Sequence, residues 1–484
     1  MASLSDLSLL TTQAYLNGEW VTKPHSFAVS NPFSSEVIAE VSDCDEHDAA
    51  SAIACAKAAF PAWAATPAIE RSKLLKQWYA LIIENQAELG KILTLEQGKP
   101  LKEAVGEIAY GASFIEWFAE EARRLYGDTI PAPSQTKRIL VIKQPVGVVT
   151  AITPWNFPNA MISRKAAAAL AAGCTFVVRP AAETPLSALA LAKLAEQAGI
   201  PKGVFNVLPS SNAAAIGEVL TQHPDVAKFS FTGSTRVGKL LTKQCADSVK
   251  RVSMELGGNA PFIVFEDADL DAAATGLIQS KYRNAGQTCV CTNRILVHEA
   301  VHDEFVSIYQ DKVARLTLGN GLDENTDIGP MIHPQASQNV HNMVKDALDK
   351  GATLLLGGTP ATENNIYPPT LLTHVTPEMR VFREEIFGPV SPVVKFSHEA
   401  DAIAMANDTE YGLAAYFYAR DIGRVWRVSE ALEYGMVGIN EGLISDTAAP
   451  FGGVKQSGTG REGSHYGLND YINIKYLCMG GIGQ

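Results

Sequence analysis

Residues 146–180 read VGVVTAITPWNFPNAMISRKAAAALAAGCTFVVRP, and the alternation inside them decides the fold class. Val146 to Ile152 is a β-branched run that predicts a strand, ending in the cluster Thr153-Pro154-Trp155-Asn156-Phe157-Pro158. An alanine-rich helix follows, and then a short strand, Thr175-Phe176-Val177-Val178. The longest apolar stretch, Ala166 to Val178, is mostly alanine, is bracketed by Lys165 and Arg179, and is shorter than a membrane span. It reads as a buried helix running into a strand.

The same alternation continues outward. A helix over Pro185 to Ala198, a strand over Val204 to Leu208, and Lys228-Phe229-Ser230-Phe231 leading to about Leu256 predict βαβ units, a parallel sheet covered on both faces, and dinucleotide-binding architecture. Upstream, Glu46 to Arg124 is helical in pattern, with Leu74, Leu75, Trp78, Leu81 and Ile82 at spacings of three and four, and Arg138 to Gln144 predicts a strand. Downstream, from Pro261 to about Phe451, a second alternating region predicts a second α/β domain. The expected class is α/β: a Rossmann-like dinucleotide-binding domain plus a second α/β catalytic domain.

Bulk properties exclude several functions. A chain of 484 residues is too long for one ordinary core, and 46% hydrophobic with 19% charged residues is the balance of a globular enzyme. A net charge of −12 and the lack of a basic run oppose nucleic acid as a partner. Seven cysteines scattered through the chain do not form a disulfide framework and fit the cytoplasm, and the N-terminus lacks the basic start and apolar core of a signal peptide. No membrane association is expected.

Four segments carry candidate chemistry. In Asn284-Ala285-Gly286-Gln287-Thr288-Cys289-Val290-Cys291, a cysteine on a tight turn, exposed and activated by backbone N–H dipoles, is a candidate nucleophile; a buried, inert small residue is the alternative. In Met254-Glu255-Leu256-Gly257-Gly258, burial would raise the pKa of Glu255 towards that of a general base, unless the residue is an ordinary surface or capping glutamate. The prolines around Asn156 fix an amide able to hold an oxyanion, or else simply a rigid turn. Thr232-Gly233-Ser234 lies where a strand gives way to a helix, a geometry that binds phosphate, although it lacks the G-x-G-x-x-G spacing.

Together these ordered segments resemble the aldehyde dehydrogenase superfamily from about Tyr15 to Tyr476. Glu384-Glu385-Ile386-Phe387-Gly388-Pro389, Arg179-Pro180-Ala181-Ala182-Glu183-Thr184-Pro185 and Pro450 to Gly458 extend the likeness. The resemblance implies that Cys289 attacks the aldehyde, that Asn156 and the Cys289 N–H hold the oxyanion with Lys165 behind the asparagine, and that Glu255 activates the hydrolytic water. It places Thr153, Trp155, Gly233 and Ser234 by the cofactor, with the last three near its pyrophosphate. Arg179 falls near the adenosine ribose, and Glu385 with Phe387 at the nicotinamide ribose. Members that prefer NAD carry glutamate where this chain has Ala182, so NADP is favoured; NAD stays possible because Glu183 lies one place later. No metal is expected.

Within the family the chain looks most like the succinate-semialdehyde dehydrogenase branch, whose two arginines and serine map onto Arg164, Arg283 and Ser445. A small aldehyde with a distal carboxylate, succinic or glutaric semialdehyde, is the implied substrate. A broad aliphatic aldehyde dehydrogenase, a non-phosphorylating glyceraldehyde-3-phosphate enzyme, a thiol hydrolase needing no cofactor and a catalytically idle binding relative are the alternatives. Cys291 suggests a Cys289–Cys291 disulfide as a redox switch. Residues 1–126 and 146–257 are expected to form the cofactor-binding domain, 258–457 the catalytic domain, and 127–145 with 471–484 a small β element for a homodimer or homotetramer.

Overall fold

A computed structural model describes residues 7–482. Residues 1–6, the start of the N-terminal segment expected to lack a signal peptide, and 483–484, the end of the expected oligomerisation segment, lie outside the described residues.

Two large sheets organise the chain. The first has eight strands, in the spatial order Gly458–Thr459, Arg251–Glu255, Val226–Thr232, Val148–Ile152, Thr175–Arg179, Phe205–Val207, Ala14–Leu16 and Glu19–Val21. The five strands from Arg251–Glu255 to Phe205–Val207 are parallel, as the alternation predicts. Both margins are antiparallel. The outer margin is a hairpin closed by Asn17-Gly18, both at positive φ, the turn that matches strand twist. The predicted strand start at Val146 moves to Val148 because Gly147, at φ 134°, breaks the extended run.

Strand order reverses about Val148–Ile152: the following strands add on one side, and Val226–Thr232 with Arg251–Glu255 on the other. At such a reversal the crevice beyond the carboxyl ends of the strands is left open for a ligand. The register brings those ends side by side, pairing Ile152 with Arg179, Phe231 with Ile152, and Thr232 with Glu255. Thr153 to Asn156, Arg179, Gly233 and Glu255 therefore share one edge of the sheet.

The second sheet has seven strands, ordered Thr353–Leu356, Thr370–Thr373, Val390–Phe396, Thr292–His298, Ala260–Val264, Ala414–Tyr418 and Met436–Ile439, antiparallel only at Thr353–Leu356. Strands buried on both faces explain runs such as Ala260–Val264 in which every residue is inside. A third, antiparallel sheet joins Ile472–Met479, Arg138–Pro145 and Asp128–Ile130, and leaves Ile130, Ile474, Tyr476 and Met479 exposed.

The helix Ala160–Ala172 is buried at every position and ends at Gly173 in the left-handed conformation. It carries Arg164 and Lys165 into the interior. Among the described residues no single helix is long and apolar enough to cross a membrane.

Candidate active site

A cavity of about 250 Å³ opens where the first sheet's strand ends meet the loops of the second sheet. Trp155 and Asn156, Gly233 and Ser234, and Glu255 reach it from the first sheet; Cys289, Glu385 and Phe387 reach it from the second.

The Cys289 loop is bent by three consecutive residues at positive φ: Asn284 at 52°, Ala285 at 54° and Gly286 at 75°. Two of them are not glycine, a conformation that costs of order 1 kcal/mol or more each and persists only when neighbours enforce it. The enforcing contacts are buried, apart from a part-buried one to Glu103. The Asn284 N–H donates to Glu103 at 2.8 Å, its amide donates to the Asn156 carbonyl at 3.2 Å, and its Oδ1 accepts from Gln97 at 2.9 Å. Gln287 accepts from the Ile332 N–H at 3.0 Å and donates to the Asn284 carbonyl at 3.1 Å. A Cβ on Gly258 would stand 2.4 Å from the Cys289 carbonyl, so the loop after Glu255 touches the cysteine loop and glycine alone fits between them.

Asn156 donates one amide N–H to the Gln287 carbonyl at 3.0 Å. A primary amide has a second N–H, which this bond orients without using.

Cys289 is half-buried rather than exposed. Burial pushes its thiol up to about 12, Arg164 pulls it back, and Glu385 and Glu255 raise it further. The expectation of a thiol activated by backbone dipoles is corrected by this environment, in which desolvation outweighs every favourable charge. Glu255 is buried, and neither carboxylate oxygen has a hydrogen-bond partner among the described residues. Burial and then Glu462 hold its carboxyl well above the usual range, against Arg164 and Lys165.

Arg164 and Lys165 are both fully buried and both ion-paired to Glu462. Lys165 is therefore committed to a carboxylate, and the expectation that Arg164 is a free substrate cation is corrected in part. Its Nε faces Glu462 and its guanidinium lies 4.4 Å from the Phe451 ring centre, while both terminal nitrogens have no hydrogen-bond partner among the described residues. Arg283 is half-buried, lies 4.8 Å over the Phe157 ring, and makes no ion pair among the described residues. Tyr110 lies beside Arg164, Arg283 and Ser445, and burial raises its hydroxyl above the usual range.

On the cofactor side, Ser234 caps the helix Thr235–Ala246, so first-turn N–H groups and the positive end of the helix dipole face the crevice. Gly233 is required because a Cβ would lie 2.5 Å from the Phe231 ring. Among the described residues the buried hydroxyls of Thr153 and Thr232 and Nε of Arg179 lack partners, which fits a polar ligand laid along this edge. Arg179 is anchored by one nitrogen to the Ser210 carbonyl at 2.7 Å; Ala182 is half-buried and Glu183 exposed. Glu385 accepts from the Gly258 N–H at 3.0 Å, burial raises its carboxyl to about 7, and Phe387 packs edge-on against Trp155 at 5.6 Å. These groups suit a dinucleotide.

Cys291 is buried and donates its S–H to the Lys281 carbonyl at 2.9 Å, so pairing with Cys289 requires that bond to break. All seven cysteines are free. Among the described residues no group of three His, Cys, Asp or Glu side chains is arranged to hold a metal ion.

Sequence reading missed Lys99, Glu103, Glu107, Tyr110 and Glu462. One signal was present: Glu103, Glu107 and Tyr110 lie at helical spacing with Ala104, Ile108 and Phe114, so carboxylates share a face with core residues.

The sequence model described as "Aldehyde dehydrogenase family" matches residues 20–477. The chain is 56% identical to the 3-sulfolactaldehyde dehydrogenase of Pseudomonas putida, covering 100% of both chains. It is 55% identical to the succinate-semialdehyde dehydrogenase [NADP(+)] of Escherichia coli K12, covering 99% of each. The crystal structure of succinate-semialdehyde dehydrogenase from Burkholderia pseudomallei superposes with a TM-score of 0.97 at 55% identity, over 99% of this chain and 100% of that one.

Proposed function

The chain belongs to the aldehyde dehydrogenase family and is an NAD(P)-dependent oxidoreductase, and on that premise we propose that it oxidises a short aldehyde bearing a distal anion, succinic semialdehyde before glutaric, through a thioester on Cys289. One observation carries this reading: Asn156, Glu255 and Cys289, from three distant segments, line one cavity with the dinucleotide-binding edge.

In this mechanism the Cys289 sulfur, its proton given up to water, bonds to the aldehyde carbon. The carbonyl oxygen becomes an oxyanion held by the second Asn156 N–H and the Cys289 backbone N–H. NADP, which Trp155, Gly233, Ser234, Glu385 and Phe387 would hold, would supply the hydride acceptor that the oxidation of the Cys289 adduct to a thioester needs. Glu255 then takes a proton from water, the hydroxide adds to the thioester carbon, and the C–S bond breaks to release the carboxylic acid and the thiol. Lys165 and Arg164 share the single carboxylate of Glu462, so this buried cluster beside Glu255 keeps one positive charge in excess.

Trp155, Gly233, Ser234 and the Thr153 hydroxyl would hold the pyrophosphate side, with Glu385 and Phe387 at the nicotinamide ribose. The preference for NADP rests on Ala182, which places no carboxylate at the adenosine ribose, and on the unpartnered Nε of Arg179. For the substrate, Arg283 carries most of the attraction for the distal anion because it lacks a counter-ion, while Arg164, countered by Glu462, and Ser445 orient it. The relatives named for sulfolactaldehyde and succinate semialdehyde share this distal anion.

The reading extends to a cytoplasmic homodimer or homotetramer. It is supported by the free thiols and by the exposed Ile474 and Tyr476 on the three-stranded sheet. A Cys289–Cys291 disulfide formed under oxidation would block the nucleophile, and recovery of peroxide-treated enzyme with dithiothreitol, absent in Cys291→Ala, tests it. The function is tested by following nicotinamide absorbance with succinic semialdehyde, glutaric semialdehyde and an uncharged aliphatic aldehyde, each with NADP and NAD. The reading requires fastest reduction of NADP with a semialdehyde; a preference for the aliphatic aldehyde would remove the anion clamp.

A further inference from the structure

Lys99 and Glu107 form a fully buried ion pair, 2.6 Å between Nζ and Oε2, separate from the ion pairs that Glu462 makes. Burying two such ions costs several kcal/mol each, and apolar replacements of similar volume are often as stable or more so. Their arrangement points to position rather than stability. The Lys99 ammonium also donates to the Asn156 carbonyl at 2.7 Å and lies 3.8 Å over the neighbouring Phe157 ring. The other Glu107 oxygen accepts from the N–H groups of Asn159 and Ala160, at 3.0 and 3.2 Å, at the start of the helix that carries Arg164 and Lys165. One ion pair thus grips the chain on both sides of Pro158, with Glu103 and Arg283 as the next nearest charges.

We propose that Lys99, neutralised by Glu107, is a positioning residue for the oxyanion amide. It fixes the Asn156 carbonyl, and so the peptide from which the Asn156 side chain springs, while Asn284 ties the same carbonyl to the cysteine loop at 3.2 Å. The oxyanion donor and the nucleophile are thereby referenced to one buried oxygen atom. A displacement of about 1 Å at such a donor costs about a hundredfold in rate. The inference rests on the role given to Asn156 above.

The experiment is a double-mutant cycle of Lys99→Met with Asn156→Ala, reading kcat and KM for succinic semialdehyde with NADP. Lys99→Met alone is expected to lower kcat about 10- to 100-fold with KM within about twofold, because the lost interaction serves the transition state. In the Asn156→Ala background the same change is expected to cost no more than about twofold, since the group being positioned is already gone. Lys99→Arg, which keeps the charge, recovers part of the rate. Where Lys99→Met does not accumulate as folded protein, Lys99→Met/Glu107→Gln, which leaves no unpaired buried charge, takes its place in the cycle. Losses that multiply across the cycle would overturn the inference, because general loosening acts in every background. An Asn156→Ala variant as fast as wild type would instead overturn the oxyanion reading itself.

Discussion

Two walls of the same cavity treat buried polar groups in opposite ways. On the wall of Asn156 and the cysteine loop, Gln97, Lys99, Glu107, Asn284 and Gln287 are all hydrogen-bonded to one another or to backbone. On the wall of Glu255, both its carboxylate oxygens, the terminal nitrogens of Arg164 and the hydroxyls of Thr153 and Thr232 have no partner among the described residues. Each buried unpaired group costs about 1–3 kcal/mol, more when charged. The satisfied wall is a scaffold that holds geometry, and the unsatisfied wall is where substrate, water, cofactor and protons make the missing bonds.

Exchanging groups on each wall tests that division. The largest effect is expected from Glu255→Gln, which should lower kcat by about 10²- to 10⁴-fold through loss of the hydrolytic base and should not lower stability. The pH signs follow from its raised pKa. The carboxylate exists only above that value, so wild-type kcat rises with pH beyond the ordinary carboxylate range. For stability, the unfolded carboxyl loses its proton near about 4.3 while the folded one keeps it, so the folded state loses stability as pH rises between the two values. Thermal unfolding of the variant should therefore exceed that of wild type by more at neutral pH than at pH about 4. A Glu255→Gln protein that is markedly less stable would break the division.

Arg283→Gln comes next: KM for succinic semialdehyde is expected to rise about 10- to 100-fold, the worth of a charge-assisted bond to a carboxylate, with KM for an uncharged aldehyde unchanged. Steady-state kinetics on the two substrates checks it. The smallest effect is expected from Gln287→Ala, which removes bonds on the scaffold wall and should lower stability by about 1–3 kcal/mol, measured by denaturant unfolding.

The fold was largely legible because strand and helix periods alternate from Val148 onward and the glycines and prolines fall between them. The antiparallel margin at Ala14–Val21 was missed although Asn17-Gly18 is a strong hairpin signal, since its strands are only three residues long. Asn156, Glu255 and Cys289 stood out because each sits beside turn-forming residues that break an apolar run. The sequence could not show that Arg164 shares Glu462 with Lys165, because the pairing spans almost 300 residues and Glu462 directly follows the stretch Gly458-Thr459-Gly460-Arg461, where a carboxylate looks solvated. Nor could it show that Cys289 is desolvated, since the loop's composition suggests exposure. Lys99 was hidden for a similar reason: Gly98-Lys99-Pro100 marks a helix start, and a lysine there is ordinarily in water.

The most direct test of covalent catalysis at Cys289 is mass spectrometry of Glu255→Gln protein mixed with succinic semialdehyde and NADP and quenched in acid. The mechanism predicts a succinyl group on the peptide containing Cys289, accumulating together with about one equivalent of reduced cofactor per active site. Reduced cofactor formed without any acyl group on Cys289, or an acyl group on another residue, would contradict it.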